Sequence, residues 1–247
     1  MALQESIEKQ GNFLFRYRSF LPLIIVLAGI VIFIFDLLNG LLADTDEYLT
    51  LQKISLAVSF FGLAIRIIAV GHTPANTSGR NTKEQLADEV NTSGIYSTVR
   101  HPLYLGNFFM WLGTVILIGN WWFLAVFTLA YWIYYERIMY AEEQFLRRKF
   151  GEVYLRWANQ TPAFIPSLRN KVKSRYPFSL KKVLKKEKNG VFAIFLLLFL
   201  FHVLRLSVLQ LPFQYDWVFW STAVSGIFYF LLKFLKSYTR LLDEKGR

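Results

Sequence analysis

The chain has 247 residues and no cysteine, with 28 Lys plus Arg against 17 Asp plus Glu, a formal charge of +11. Hydrophobic residues make up 54% and charged residues 18%, against about 25% charged in a soluble domain, which argues against both a soluble globular protein and a disordered one. The lack of cysteine excludes disulfides, thiolate metal sites and cysteine nucleophiles.

Six charge-poor runs are long enough to be read as membrane-crossing helices. They lie at about 20–42, 49–70, 103–119, 121–135, 191–211 and 217–235. Short turns join them in pairs, which predicts three helical hairpins. Helices satisfy their own backbone N–H and C=O groups inside a bilayer. The first run is too long for a signal-peptide core and is expected to be retained. The expected class is therefore an all-α integral membrane protein with about six transmembrane helices.

Charge sets the orientation. Lys9, Arg16 and Arg18 precede the first span, and residues 137–190 carry 14 Lys plus Arg against 4 acids. The alternate turns hold Asp44, Asp46, Glu47 and Asp216 and no base. Both termini are thus expected in the cytoplasm, in a bacterial cytoplasmic membrane. Anionic lipid headgroups explain the basic face better than nucleic acid does. The chain divides into a cytoplasmic tail (1–19), a four-span core (20–168), a basic linker (169–190), a further hairpin (191–235) and a second tail (236–247). Residues 178–186 read equally well as an interfacial amphipathic helix or as a solvated basic stretch.

The polar information sits in two pieces flanking the tight hairpin at Gly119-Asn120. One reads NTSGIYSTVRHPLYLG from Asn91, the other ERIMYAEEQFLRRKFGEVYLRWANQTPAFIP from Glu136. Both should emerge on one face and meet. Pro102 suits the first turn of a helix, which puts Arg100 and His101 at a helix N-terminus, where an anion is favoured. Arg100 suits a carboxylate or a phosphate, a lipid phosphate included. Glu142 and Glu143 point in different directions if helical, and Glu143 can also pair with Arg147 along the helix. Arg66 and Asp36 are ionisable residues inside predicted spans, hence candidates by default. Arg66 lies near the cytoplasmic end of its helix, and the different depths of the two argue against their pairing. Arg66 and Glu136 are expected to border the site on the substrate side. His202 and Arg205 share a helix face and can meet a headgroup or a neighbouring helix. Three scattered histidines give no metal site.

Gly94-x-Tyr96-x-x-Val99-Arg100-His101-Pro102-x-Tyr104-x-Gly106, then Glu142-Glu143-x-x-Leu146, Phe150-Gly151-x-x-Tyr154, Pro162 and Phe164-Ile165-Pro166 together resemble the isoprenylcysteine carboxyl methyltransferase family. Phospholipid N-methyltransferases and small-thiol methyltransferases look similar. The resemblance covers about residues 50–168. It implies an S-adenosylmethionine-dependent membrane methyltransferase with a cofactor pocket at the cytoplasmic face and a lipophilic or lipidated acceptor. By motif position it implies cofactor binding by Tyr96, Arg100, His101, Tyr104, Gly106, Glu142 and Glu143, with Arg100 and Glu143 the candidates for the catalytic step. The loop 71–90 is longer and more polar than the family pattern, and the last hairpin falls outside it.

Two other classes compete. NADPH-dependent membrane sterol reductases share an Arg-His-Pro-x-Tyr-x-Gly motif. They tend to carry an acid where this chain has Asn107, and a single Glu with a following Cys where it has Glu142-Glu143. A non-enzymatic membrane scaffold leaves the polar motifs unexplained. The sequence leaves the acceptor and the oligomeric state open.

Overall fold

A computed structural model describes residues 2–74, 85, 87–244 and 246. Most of the unusual polar loop, including Arg80 and Lys83, lies outside the described residues. The described chain is helical: α1 (Leu3–Tyr17), α2 (Leu21–Leu38), α3 (Thr45–Gly71), α4 (Pro102–Ile118), α5 (Trp121–Phe150), α6 (Glu152–Ala158), α7 (Leu180–Val208) and α8 (Trp217–Tyr238), with a 3-10 turn at Gly94–Ser97.

Four helices are long and apolar enough to cross a membrane: α2, α3, α7 and α8. The expected six reduces to four by that measure. The reason is local. At 17 residues and ~1.5 Å per residue, α4 reaches only ~25 Å of a hydrocarbon core about 30 Å thick. α5 has 30 residues, but Glu136 and Arg137 interrupt it after residue 135. α2 leaves Leu23, Ile24, Leu27, Val31 and Phe35 exposed, and α8 leaves Trp220, Val224, Ile227, Phe230 and Phe234 exposed. Outward apolar stripes on otherwise apolar helices suit lipid tails, and the chain is an integral membrane protein.

Packing departs from three simple hairpins. The most extensive contact is between α3 and α4, whereas α2 packs mainly on α7 and α4. α2 and α3 diverge, and ring contact between Phe33 and Tyr48 links them. Small residues set the α3–α4 approach. A Cβ on Gly113 would lie 2.4 Å from the Ser55 carbonyl oxygen, and one on Gly62 would lie 2.5 Å from that of Gly106. Such residues let helix backbones close where apolar burial gives no advantage over lipid. The Ser59 hydroxyl then donates to the Met110 carbonyl at 3.2 Å.

Two segments read as a tail and a linker contain helix. The N-terminal tail contains α1, which runs antiparallel to α5. Glu8 meets Arg148 at 2.7 Å, Gly11 seats on the Arg137 carbonyl and Ala141, and Tyr134 donates to the Leu14 carbonyl. The basic linker ends early, because α7 starts at Leu180 and absorbs most of residues 178–186. Ser179 caps it by accepting from Lys182 N. The buried Lys182 ammonium is satisfied by the Thr73 carbonyl at 2.6 Å, the Thr73 hydroxyl at 2.9 Å and the Pro74 carbonyl at 2.9 Å. These oxygens lie just beyond the C-terminus of α3, where a cation is favoured.

The two ends of the bundle differ. Arg66, the N-terminus of α4, the C-terminal part of α5 and the start of α7 share the Lys/Arg-rich end. At the other end Gly119, with φ +76°, permits the tight turn. Asn120 caps α5 by accepting from Phe123 N and donates to Asp36 Oδ2 at 2.8 Å. Asp36 therefore serves the fold. His202 Nε2 lies 3.0 Å from Asp216 Oδ2, and buried Arg205 donates to the carbonyls of Leu42 and Ala43 at 2.9 and 2.8 Å while lying over the Tyr48 ring. Arg205→Met is expected to cost about 1–3 kcal/mol by leaving two carbonyls without donors. A lower Tm in detergent checks it.

Candidate active site

The two polar pieces meet, and backbone hydrogen bonds explain how. Arg100 N donates to the Pro162 carbonyl at 2.9 Å, His101 N to the Ala163 carbonyl at 3.2 Å and Ser167 N to the Thr98 carbonyl at 2.9 Å. The return segment thus lies along residues 98–101. Farther out, Val172 N donates to Ser97 Oγ at 2.8 Å, and the Trp157 indole donates to the Tyr96 carbonyl at 3.1 Å. Gly151, at φ +51°, breaks α5 from α6 and turns Tyr154 back toward Glu143.

His101 is the residue before Pro102, at the N-terminus of α4. Its Nε2 lies 2.9 Å from Glu143 Oε1 and its Nδ1 lies 3.7 Å from Glu142 Oε2. Arg100 Nε lies 3.3 Å from Glu143 Oε1. The Tyr104 hydroxyl donates to Glu142 Oε1 at 2.7 Å. One imidazole thus lies between the two carboxylates, with a guanidinium on one side and a phenol on the other. Below them Tyr135 lies tilted against Tyr104 and stacks on Tyr131, and Tyr131 donates to the Tyr104 carbonyl at 2.8 Å.

Both carboxylates lie on the extension of α5 beyond its apolar residues 121–135, and their acidities move apart. Burial raises Glu142 above the ordinary 4.5, and the neighbouring His101 and the Tyr104 hydrogen bond offset this only in part. Burial also pushes Glu143 upward, but the His101 hydrogen bond and the charges of His101 and Arg100 outweigh it, so Glu143 ends below 4.5. Burial and the charge of Glu143 raise the Tyr154 phenol, and burial and the charge of Glu142 raise Tyr96. The stability consequences have opposite signs. The contribution of Glu143 is present above 4.5 and is lost as pH falls through its depressed value. That of protonated Glu142 is full below 4.5 and is lost as pH rises through its raised value.

Of the expected site residues, Arg100, His101, Tyr104, Glu142 and Glu143 converge. Tyr96 flanks them through its electrostatic coupling to Glu142. Gly106 is packed against α3: a Cβ there would lie 2.5 Å from Arg66 Cγ and 2.8 Å from the Gly62 carbonyl. Arg66 reaches this end but is engaged by Glu187 and Asn107. Glu136 points away, 58% exposed beside Arg137. Tyr154 was missed as a site residue, although its place in the Phe150-Gly151-x-x-Tyr154 pattern marked it. Among the described residues no cluster of His, Asp and Glu is arranged to hold a metal.

The same segment carries the similarity to known proteins. Residues 53–153 match the model of the family described as "Phospholipid methyltransferase". The chain is 32% identical over 117 residues to a protein-S-isoprenylcysteine O-methyltransferase of Tribolium castaneum, covering 47% of this chain and 42% of that one. It is 32% identical over 132 residues to the enzyme of the same name from Xenopus laevis, covering 51% and 44%. A probable protein-S-isoprenylcysteine O-methyltransferase of Oryza sativa subsp. indica is 29% identical over 133 residues, covering 51% and 66%. The chain thus spans less than half the length of the first two. No solved structure matches it. The matched segment holds all of α4 and α5, most of α3, and the whole Arg100–His101–Tyr104–Glu142–Glu143 constellation. α1, α2, α7 and α8 lie outside it.

Proposed function

We propose that this protein is an S-adenosylmethionine-dependent membrane methyltransferase for a lipophilic acceptor, with the carboxylate of a prenylcysteine-like thioether as the favoured class. The observation carrying this reading is the convergence of Arg100, His101, Tyr104, Glu142 and Glu143 at one helix N-terminus, inside the segment that matches methyltransferases. The residues present suit the cofactor. Arg100 Nε and the Tyr154 hydroxyl are buried donors that make no hydrogen bond of good geometry among the described residues, both facing Glu143, whose Oε1 lies 3.3 Å from Arg100 Nε. Glu142 is a carboxylate whose burial calls for a cation.

In this reading Arg100, with Tyr154, holds the carboxylate of the methionine end, and Glu142 holds its ammonium. Glu143 fixes His101 and Arg100 in place. The cofactor supplies an electrophilic methyl group on a positively charged sulfur. Transfer of that group to a carboxylate would exchange a C–S bond for a C–O bond, would neutralise charge and would require no proton to be removed. The protein's contribution is then alignment and exclusion of water, and an amine or thiol acceptor would need a base in addition. We place the site at the cytoplasmic face, with α4 and α5 completing six spans and both termini inside. The apolar acceptor arrives from the bilayer, and anionic headgroups meet the basic end.

Titration of the detergent-purified protein with S-adenosylmethionine, S-adenosylhomocysteine and NADPH tests this. Saturable binding of the adenosyl compounds is expected, weakened roughly 10- to 100-fold by Arg100→Ala, the scale of one charged hydrogen bond. Affinity is expected to rise with pH through the titration of Glu142 and to level off above it, because the ammonium displaces the Glu142 proton. Calorimetry in two buffers of different ionisation heat should therefore show proton release below that range. Binding of NADPH alone would overturn the reading in favour of a reductase.

A further inference from the structure

The last hairpin lies outside the matched segment, yet it reaches the site. Glu187, on α7, has a side chain only 4% exposed. It takes Arg66 in a two-point grip: Arg66 Nε donates to Oε2 at 2.8 Å and Nη2 to Oε1 at 2.7 Å. The remaining arm, Nη1, donates to Asn107 Oδ1 at 2.6 Å. Gly106 makes this possible, since any side chain there would strike the Arg66 stem. Asn107 stands three residues after Tyr104, so it lies one turn further along the same face of α4. Tyr104 in turn holds Glu142, and Tyr135, packed on Tyr104, is coupled both to Arg66 and to Asn107. Hydrogen bonds therefore run from α7 through Arg66 on α3 to Asn107 on α4, and one helical turn back on α4 Tyr104 holds Glu142.

We infer that Glu187 is a positioning residue for methyl transfer: it locks Arg66 onto Asn107 and so fixes the turn of α4 that presents Tyr104 to Glu142. The C-terminal hairpin is then part of the catalytic unit and no appendage. This rests on the methyltransferase reading above. Glu187 touches neither Glu142 nor Glu143, so its effect must travel through the orientation of α4. Small displacements at a reacting centre are costly, since about 1 Å can reduce a rate by about 10²-fold. A grip of two parallel hydrogen bonds fixes both angle and distance. It also explains one acid within the basic run 171–188, where bulk charge favours none.

The test compares wild type with Glu187→Gln, Glu187→Asp, Asn107→Ala and the Arg66→Met/Glu187→Gln pair. S-adenosylhomocysteine affinity, kcat and the KM for a short prenylcysteine are measured on protein shown to be folded. Glu187→Gln and Asn107→Ala are each expected to lower kcat about 10-fold or more with little change in acceptor KM. Glu187→Asp should restore part of the loss, and the double variant should be no slower than Glu187→Gln. Asn107→Ala keeps the ion pair, so it reports on positioning even where Glu187→Gln folds poorly. A folded Asn107→Ala or Glu187→Gln protein with wild-type kcat overturns the inference alone. A wild type that binds no adenosyl ligand and transfers no methyl group overturns the functional reading and this inference with it.

Discussion

Replacing Gly113 with leucine is expected to abolish the folded protein. A Cβ at this position would lie 2.0 Å from Ser59 Oγ and 2.4 Å from the Ser55 carbonyl oxygen. The hydroxyl can rotate, but the carbonyl belongs to the helix itself. Moving it means separating α3 from α4, the most extensive contact in the bundle. Ordinary overpacking costs about 1–3 kcal/mol, and a leucine driven against helix backbone that cannot rotate away exceeds that. Loss of the Ser59–Met110 hydrogen bond follows. The measurement is the yield of monodisperse protein after detergent extraction and its Tm. Gly113→Ala is the graded control and should retain some folded material. A Gly113→Leu protein with wild-type Tm would mean that α3 and α4 lie farther apart than described.

The second large effect is expected at Glu142. In the proposed reading this carboxylate meets the cofactor's ammonium while accepting from Tyr104. Glu142→Gln keeps an acceptor for the phenol but removes the charge. Glu142→Ala removes both. A hydrogen bond to a charged group contributes about 1.5–3 kcal/mol, so Glu142→Gln should weaken S-adenosylhomocysteine binding roughly 10- to 100-fold, and Glu142→Ala at least as much. The pH dependence supplies an independent readout. With Glu142 replaced, proton release on binding should vanish while Arg100→Ala retains it. Equal affinities for wild type and Glu142→Gln would move the ammonium contact elsewhere.

Much of this arrangement was legible in the sequence because it rests on local rules. Pro102 could begin a helix and could not sit inside one, so Arg100 and His101 had to lie at its mouth. The turn at Gly119-Asn120 forced α4 and α5 to return to one face, which brought residues 91–106 and 136–166 together. The charge asymmetry of the loops agrees with the two ends of the bundle. What was hidden depends on partners distant in the chain. Gly106 reads as a motif glycine, but its demand for a hydrogen comes from Arg66. Arg66 reads as a candidate ligand, but Glu187 claims it from a segment whose composition says only that it is basic. Asp36 looked like an intramembrane charge until Asn120, capping α5, took it. α1 looked like a tail because its apolar face is short, and only the surface of α5 shows what that face covers.

The packing of α2 on α7 also orders events in time. A chain made from its N-terminus presents α2 to the bilayer long before α7 exists, and α3 offers α2 little surface in the interval. α2 must therefore wait among lipids while α3, α4 and α5 associate. Contacts between sequence-distant segments form late, because a long loop must close first. Arrival of α7 then joins three things at once: it gives α2 its neighbour, clasps the α2–α3 turn through Arg205, and delivers Glu187 to Arg66. The step that completes the bundle at one end is the same step that completes the site at the other, so a half-inserted chain would carry the Arg100 and Glu142-Glu143 motifs without the geometry to use them.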